Sequence, residues 1–130
     1  MISILVAVVS LAFVVLTALI DAEMILEEHY IDSHRSRWSQ RVCFFLAMGM
    51  VQPEYFFASA LLFSALFDQV LNSMRMLPFW YLGTVAKWDL FFSKRKWLYV
   101  AMKITTLILA ALLFTFKYSD LQLIVSQYYF

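Results

Sequence analysis

Residues 2–20, ISILVAVVSLAFVVLTALI, form nineteen consecutive positions without one charged side chain. At about 1.5 Å of rise per residue a helix of that length covers about 28 Å, close to the ~30 Å hydrocarbon core of a bilayer. Lipid offers no partner for backbone N–H and C=O groups, so a segment of this kind must satisfy them within itself, as a helix. Asp21 to Glu28 follow without a helix breaker, and the helix is expected to run on past Ile20. No Lys or Arg precedes the run, so the basic n-region of a secretory signal is missing and a retained membrane helix is expected.

The remainder agrees. Hydrophobic residues make up 64% of the chain and charged residues 15%, against about 45–50% and 25% in soluble domains. A chain of 130 residues has too much surface for its volume to hide that many apolar side chains from water. They must face lipid or one another, as a single membrane domain over residues 1–130. The apolar surface makes the lipid bilayer the expected partner; the net charge of +1 excludes no partner by itself, and no dense basic patch suggests nucleic acid. The one cysteine, Cys43, lies in an apolar run and reads as a small hydrophobe.

A second clear span is 97–116, where Lys103 near one end is expected to snorkel toward the headgroups. Between these two, residues 42–51 and 55–67 are apolar but short, and Gln52-Pro53-Glu54 separates them. Proline disfavours helix in the residue before it and suits the first turn of the next helix. A helical hairpin is therefore expected, its arms extended to 36–51 and 54–75 as two tilted spans, with a shallow re-entrant hairpin as the alternative. Residues 78–93 mix aromatic and polar side chains, the composition of an interfacial segment. The fold expected is all-α, a polytopic transmembrane bundle of about four helices with spans near 2–20, 36–51, 54–75 and 97–116. Arg35, Arg37 and Arg41 precede the hairpin and Arg75, Lys87, Lys94, Arg95 and Lys96 follow it, while its tip has no basic residue. The positive-inside rule then makes both basic regions cytoplasmic and puts both termini on the outer side.

Polar residues gather at the same boundary. Asp21 and Glu28 share a face of the first helix; His34, Arg37 and Arg41 share one on the second; Asp68, Asn72 and Arg75 share one on the third. Tyr81 and Asp89, in the interfacial segment, complete a predicted polar cluster. Unpaired charge at membrane depth costs about 2.5 kcal/mol or more, so the acidic stripe of the first helix is expected to pair with the basic stripe of the second. A divalent metal on Asp21, Glu28, His34 and Asp68 is an alternative, since imidazole and carboxylate together suit Zn or Fe. Metal-activated water would then make the chain a membrane-embedded hydrolase. A proton or ion path carried by Asp21 and Asp68 is a third reading. There is no HExxH, GxSxG, CxxC or Walker-type loop, no catalytic residue is identified, and a role other than catalysis, without cofactor, is the main expectation.

Two stretches carry a resemblance. Asp21-Ala22 and then Ile31-Asp32-Ser33-His34 with Arg37 resemble the DA…(I/N)xH-x-x-R pattern of an uncharacterised group of small polytopic membrane proteins from Bacteroidetes phages and prophages. The stretch LFDQVLNSMRMLPFWYLGTVAKWD is similar to that group's FD…LN…RG…(F/Y)YLG.TA..D, through Phe67, Asp68, Leu71, Asn72, Arg75, Tyr81, Leu82, Gly83, Ala86 and Asp89. Met76 stands where the group has glycine. The two stretches cover about a third of the chain. The resemblance implies a four-helix membrane protein and no reaction; a place in a bacterial inner membrane, and a role in interacting with or modifying the host membrane, are expected. A second copy of the chain or another membrane protein is the partner such a role allows, and a holin-like pore or ion conductor is the alternative.

Overall fold

The computed structural model describes residues 1–26, 34–82, 87–115 and 126–128, for 34–36 the backbone alone. Its helices are α1 (Ile2–Leu26), α2 (His34–Val51), α3 (Pro53–Met74), α4 (Lys87–Ser93) and α5 (Lys96–Thr115), with no strand among the described residues. The chain is an all-α bundle, and α1, α3 and α5 are long and apolar enough to cross a membrane. Of the four spans expected, α2 is the one outside that set. It has 18 residues, but its first half, HRSRWSQR, is polar, and the apolar half 42–51 rises only about 15 Å. That half leans on its neighbours: Phe44 stacks on Phe13 of α1 at 3.9 Å between ring centroids, and Phe45 meets Phe63 of α3 edge-on at 5.7 Å.

α3 is the central helix, packed against α5, α1 and α2. Two apolar clusters set the directions. Val6 near the start of α1 packs with Tyr55, Ala58 and Leu62 of α3 and with Ala110 and Phe114 near the end of α5. Lower down, Val14 and Ala18 pack with Phe63 and Phe67. α1 and α3 therefore run the same way, and α5 runs back. The buried residues of α1, namely Val6, Ser10, Val14, Ala18, Asp21 and Ala22, recur every three to four positions along one face. Half of them are small, and small residues let helix backbones approach closely where lipid supplies no hydrophobic drive.

The hairpin turns at Gln52, which is extended (φ −152°) and caps α3. Pro53 opens the first turn of α3, where its missing N–H costs nothing. Just before it, Gly49 faces Phe56, and a Cβ at Gly49 would stand 3.0 Å from the Phe56 Cβ; the two arms meet there at backbone distance.

At its other end α3 closes in a Schellman motif. The Met76 N–H donates to the Ser73 carbonyl (3.2 Å) and the Leu77 N–H to the Asn72 carbonyl (2.9 Å), with Met76 left-handed at φ 56°. This is the position glycine fills without strain, whereas an L side chain there costs about 1–2 kcal/mol. Met76→Gly is expected to stabilise the bundle by about 1 kcal/mol, read as a higher midpoint of thermal unfolding in detergent. An unchanged or lower midpoint would show that the Met76 side chain offsets the strain.

Candidate interfacial cleft

The turn after α3 is folded back by one side chain. The Asn72 amide donates to the carbonyls of Tyr81 (3.0 Å) and Phe79 (3.3 Å), so residues 79–81 are drawn against the end of α3. Trp80 then lies edge-on to Tyr99 of α5, with 6.2 Å between ring centroids, and Phe92 of α4 packs on the same Tyr99 at 5.6 Å. α4 itself is short and has no fully buried residue. Between α3, the turn, α4 and α5 lies a cleft of about 320 Å³ whose walls include Asp68, Asn72, Arg75, Tyr81 and Asp89, together with Trp88, Tyr99 and Lys103. Five of the nine residues of the predicted polar cluster thus share one cavity.

Lys103 is buried, not reaching outward as snorkelling would require. Its ammonium donates to the Asp68 carboxylate at 2.7 Å and also to the Ser64 carbonyl, and it lies 5.5 Å from the centroid of the Tyr99 ring. Ser64 and Asp68 are one turn apart on α3, so a cation from α5 finds two acceptors inside the bundle and has no need of the headgroups. Beside this pair the Gln69 amide donates to the Tyr99 hydroxyl at 3.0 Å. The Asp68 side chain remains half exposed, at 51%. Neither Arg75 nor Asp89 makes an ion pair among the described residues.

A second polar centre sits between α1 and α2. Asp21, 1% exposed, accepts from Arg37 at 2.5 Å on one carboxylate oxygen and from Arg41 at 2.8 Å on the other. Here Asp21, from the acidic stripe expected on the first helix, meets Arg37 and Arg41 of α2. The Arg41 guanidinium also lies over the rings of Phe67 (4.5 Å), Phe63 (4.9 Å) and Trp38 (5.4 Å), a geometry in which aromatic faces stabilise a desolvated cation.

The single cluster expected from the sequence is therefore two centres. Asp21 turns toward α2 and Asp68 toward α5, because each follows the nearest basic residue on a neighbouring helix. This bears on the metal set. Two guanidiniums beside Asp21 repel a further cation there, and among the described residues no three His, Cys, Asp or Glu side chains group together. Glu28 and the His34 side chain lie outside the described residues. The centres are linked by a groove of about 480 Å³ running over α3, with Arg41 and Trp38 at one side, Asp68 and Lys103 at the other, and Phe45, Ala60, Phe63 and Phe67 along it.

Lys103, Tyr99 and Trp88 line the cleft but are absent from the polar cluster expected from the sequence. One signal was present for Lys103: a lone charge several residues inside an apolar run implies a partner at membrane depth. Tyr99 lies four residues before it and so on the same helical face. Compared with family models, curated proteins and solved structures, the chain finds no match.

Proposed function

We propose that this chain is a small integral membrane protein of the phage type that acts on the surrounding host membrane by interaction, through the cleft between α3, α4 and α5. In this reading it sits in a bacterial inner membrane with the cleft and the basic residues on the cytoplasmic side and both termini outside, as the distribution of Lys and Arg favours. The observation that carries the reading is the convergence of Asp68, Asn72, Arg75, Tyr81 and Asp89, scattered over the second resembling stretch, on one cavity. The left-handed Met76 adds support, since the backbone there takes the conformation for which the resembling group supplies glycine.

The chemistry of the cavity is that of recognition. It presents charges of both signs and an amide beside aromatic rings of the kind that settle at headgroup level. Trp88 is largely exposed, 74%, and so is available to the membrane interface.

The experiment is expression in bacterial cells of the wild type and of the Arg75→Gln/Asp89→Asn double variant at matched membrane levels. Membrane order is followed with a polarity-sensitive dye, and potential with a voltage-sensitive one. The wild type is expected to alter membrane order, and the double variant to lose most of that effect. Equal effects of the two proteins would overturn the reading. Collapse of the potential by both alike would favour a pore.

A further inference from the structure

We infer that the cleft and the groove adjoining it form one site for a single phospholipid whose headgroup is zwitterionic with a primary amine, the phosphoethanolamine type. The inference rests on the reading of the cleft as the part that meets the membrane, and gives it a ligand.

Charge comes first. Four charged side chains line the cleft. Lys103 and Asp68 neutralise one another, which leaves Arg75 and Asp89, one cation and one anion, each without an ion pair among the described residues. An anionic headgroup would match Arg75 and leave Asp89 facing like charge. A zwitterion matches both, with its phosphate on the Arg75 guanidinium, whose fork of N–H donors suits phosphate oxygens, and its ammonium on Asp89.

The carboxylates decide which ammonium. Asp89 accepts hydrogen bonds and donates none, and the second oxygen of the half-exposed Asp68 is in the same position, since Lys103 engages only one. A primary ammonium brings three N–H donors. A trimethylated ammonium brings none, and would be better served by rings alone.

The shape decides between a lipid and a soluble molecule. The groove shares Asp68 and Lys103 with the cleft, so the two cavities meet at that ion pair. From Asp68 the groove follows α3 back to Ala60, eight residues or about 12 Å of helical rise, between the side chains of Phe45, Phe63 and Phe67. It thus leaves the polar boundary and enters the apolar part of the bundle, as an acyl chain leaves its headgroup. Both volumes, about 320 and 480 Å³, fall within the ordinary range for small-ligand sites, about 300–1,000 Å³. A free phosphoethanolamine would fill the first and leave the second empty.

The test is native mass spectrometry of the full chain in mild detergent, offered an equimolar mixture of phosphatidylethanolamine, phosphatidylcholine and phosphatidylglycerol with identical acyl chains. Phosphatidylethanolamine is expected to be retained about tenfold over each of the others, and Asp89→Asn or Arg75→Gln to reduce that retention about tenfold, as loss of a charge-assisted hydrogen bond does. Glu54→Gln, at the hairpin tip, should leave it unchanged. Circular dichroism on each variant checks that the helices persist, which the exposed position of Arg75 and the partial exposure of Asp89 favour. Chain-free glycerophosphoethanolamine at millimolar concentration should fail to displace the lipid. Equal retention of the three lipids, retention indifferent to both variants, or displacement by the chain-free headgroup would each overturn the inference. Should the lipids be retained equally while the effect in cells still depends on Arg75 and Asp89, the phospholipid is wrong and the cleft reading stands. An effect in cells indifferent to both residues removes the cleft reading itself.

Discussion

Asp21→Ala is expected to lower the stability of the folded bundle by about 3–5 kcal/mol, the usual cost of removing one partner from a buried ion pair. Asp21 is the only carboxylate that the described residues place on Arg37 and Arg41, and both arginines are buried. Without it the Arg41 guanidinium, buried against Phe63 and Phe67, loses its carboxylate, and Arg37 loses its ion pair across the α1–α2 contact. The rings over Arg41 soften this, but cation–π contact contributes about 0.5–2 kcal/mol, less than the deficit. Asp21→Asn keeps the shape and removes the charge, so it should fall almost as far. The triple variant Asp21→Leu/Arg37→Leu/Arg41→Met should recover much of the loss, because well-packed apolar residues often replace a buried ionic group without penalty. Equilibrium unfolding in mixed detergent micelles measures all three, and an Asp21→Ala variant as stable as wild type would refute the assignment of this centre as structural.

The second large effect is expected at Phe63. Its ring stacks on Phe67 at 4.7 Å between centroids, meets Phe45 at 5.7 Å and Phe13 at 5.9 Å, and lies 4.9 Å from the Arg41 guanidinium. One side chain thus joins α1, α2 and α3. In water a Phe→Ala change in a core costs about 3–5 kcal/mol. In a bilayer part of that transfer term is absent, because helices apart from one another still bury the ring in lipid. Phe63→Ala is therefore expected to cost about 1–3 kcal/mol, again by unfolding in micelles. Phe57 is 61% exposed and, with no such junction to hold, Phe57→Ala should change stability by less than about 0.5 kcal/mol. Equal losses at the two positions would mean that the three-helix junction contributes little.

What could be seen in the sequence divides by physical range. Hydrophobic run length locates α1 and α5, because the bilayer imposes that length on any crossing helix; the apolar run of α3, residues 55–67, is too short to do so alone. Pro53 locates the hairpin, since its effects on the residue before it and on the helix after it are local. Helical spacing puts Asp68, Asn72 and Arg75 on one face, and the structure does bring them to one cleft. Spacing says nothing, however, of which helix that face meets. Asp21 and Asp68 looked like members of one cluster and belong to two, separated by the arginines of α2 on one side and Lys103 on the other. Lys103 looked ready to snorkel because its partners, Ser64 and Asp68, are 39 and 35 positions away, beyond any local pattern. The fold-back of residues 79–81 was equally hidden, for Asn72 binds backbone carbonyls that any residue supplies. Met76 hid its left-handed turn by standing where glycine would have announced it.

Side-resolved labelling bears most directly on the whole account, which depends on the start of α2 and the α4–α5 corner lying at the same membrane face, with the hairpin tip at the other. Cys43→Ser provides the background, and Gln40→Cys, Ser93→Cys and Gln52→Cys are each treated with a membrane-impermeant thiol reagent in intact cells and in inverted vesicles. Positions 40 and 93 are expected to react from the vesicle side and position 52 from the cell exterior; reaction of 40 and 93 from opposite sides would contradict the bundle, the cleft and the lipid site together.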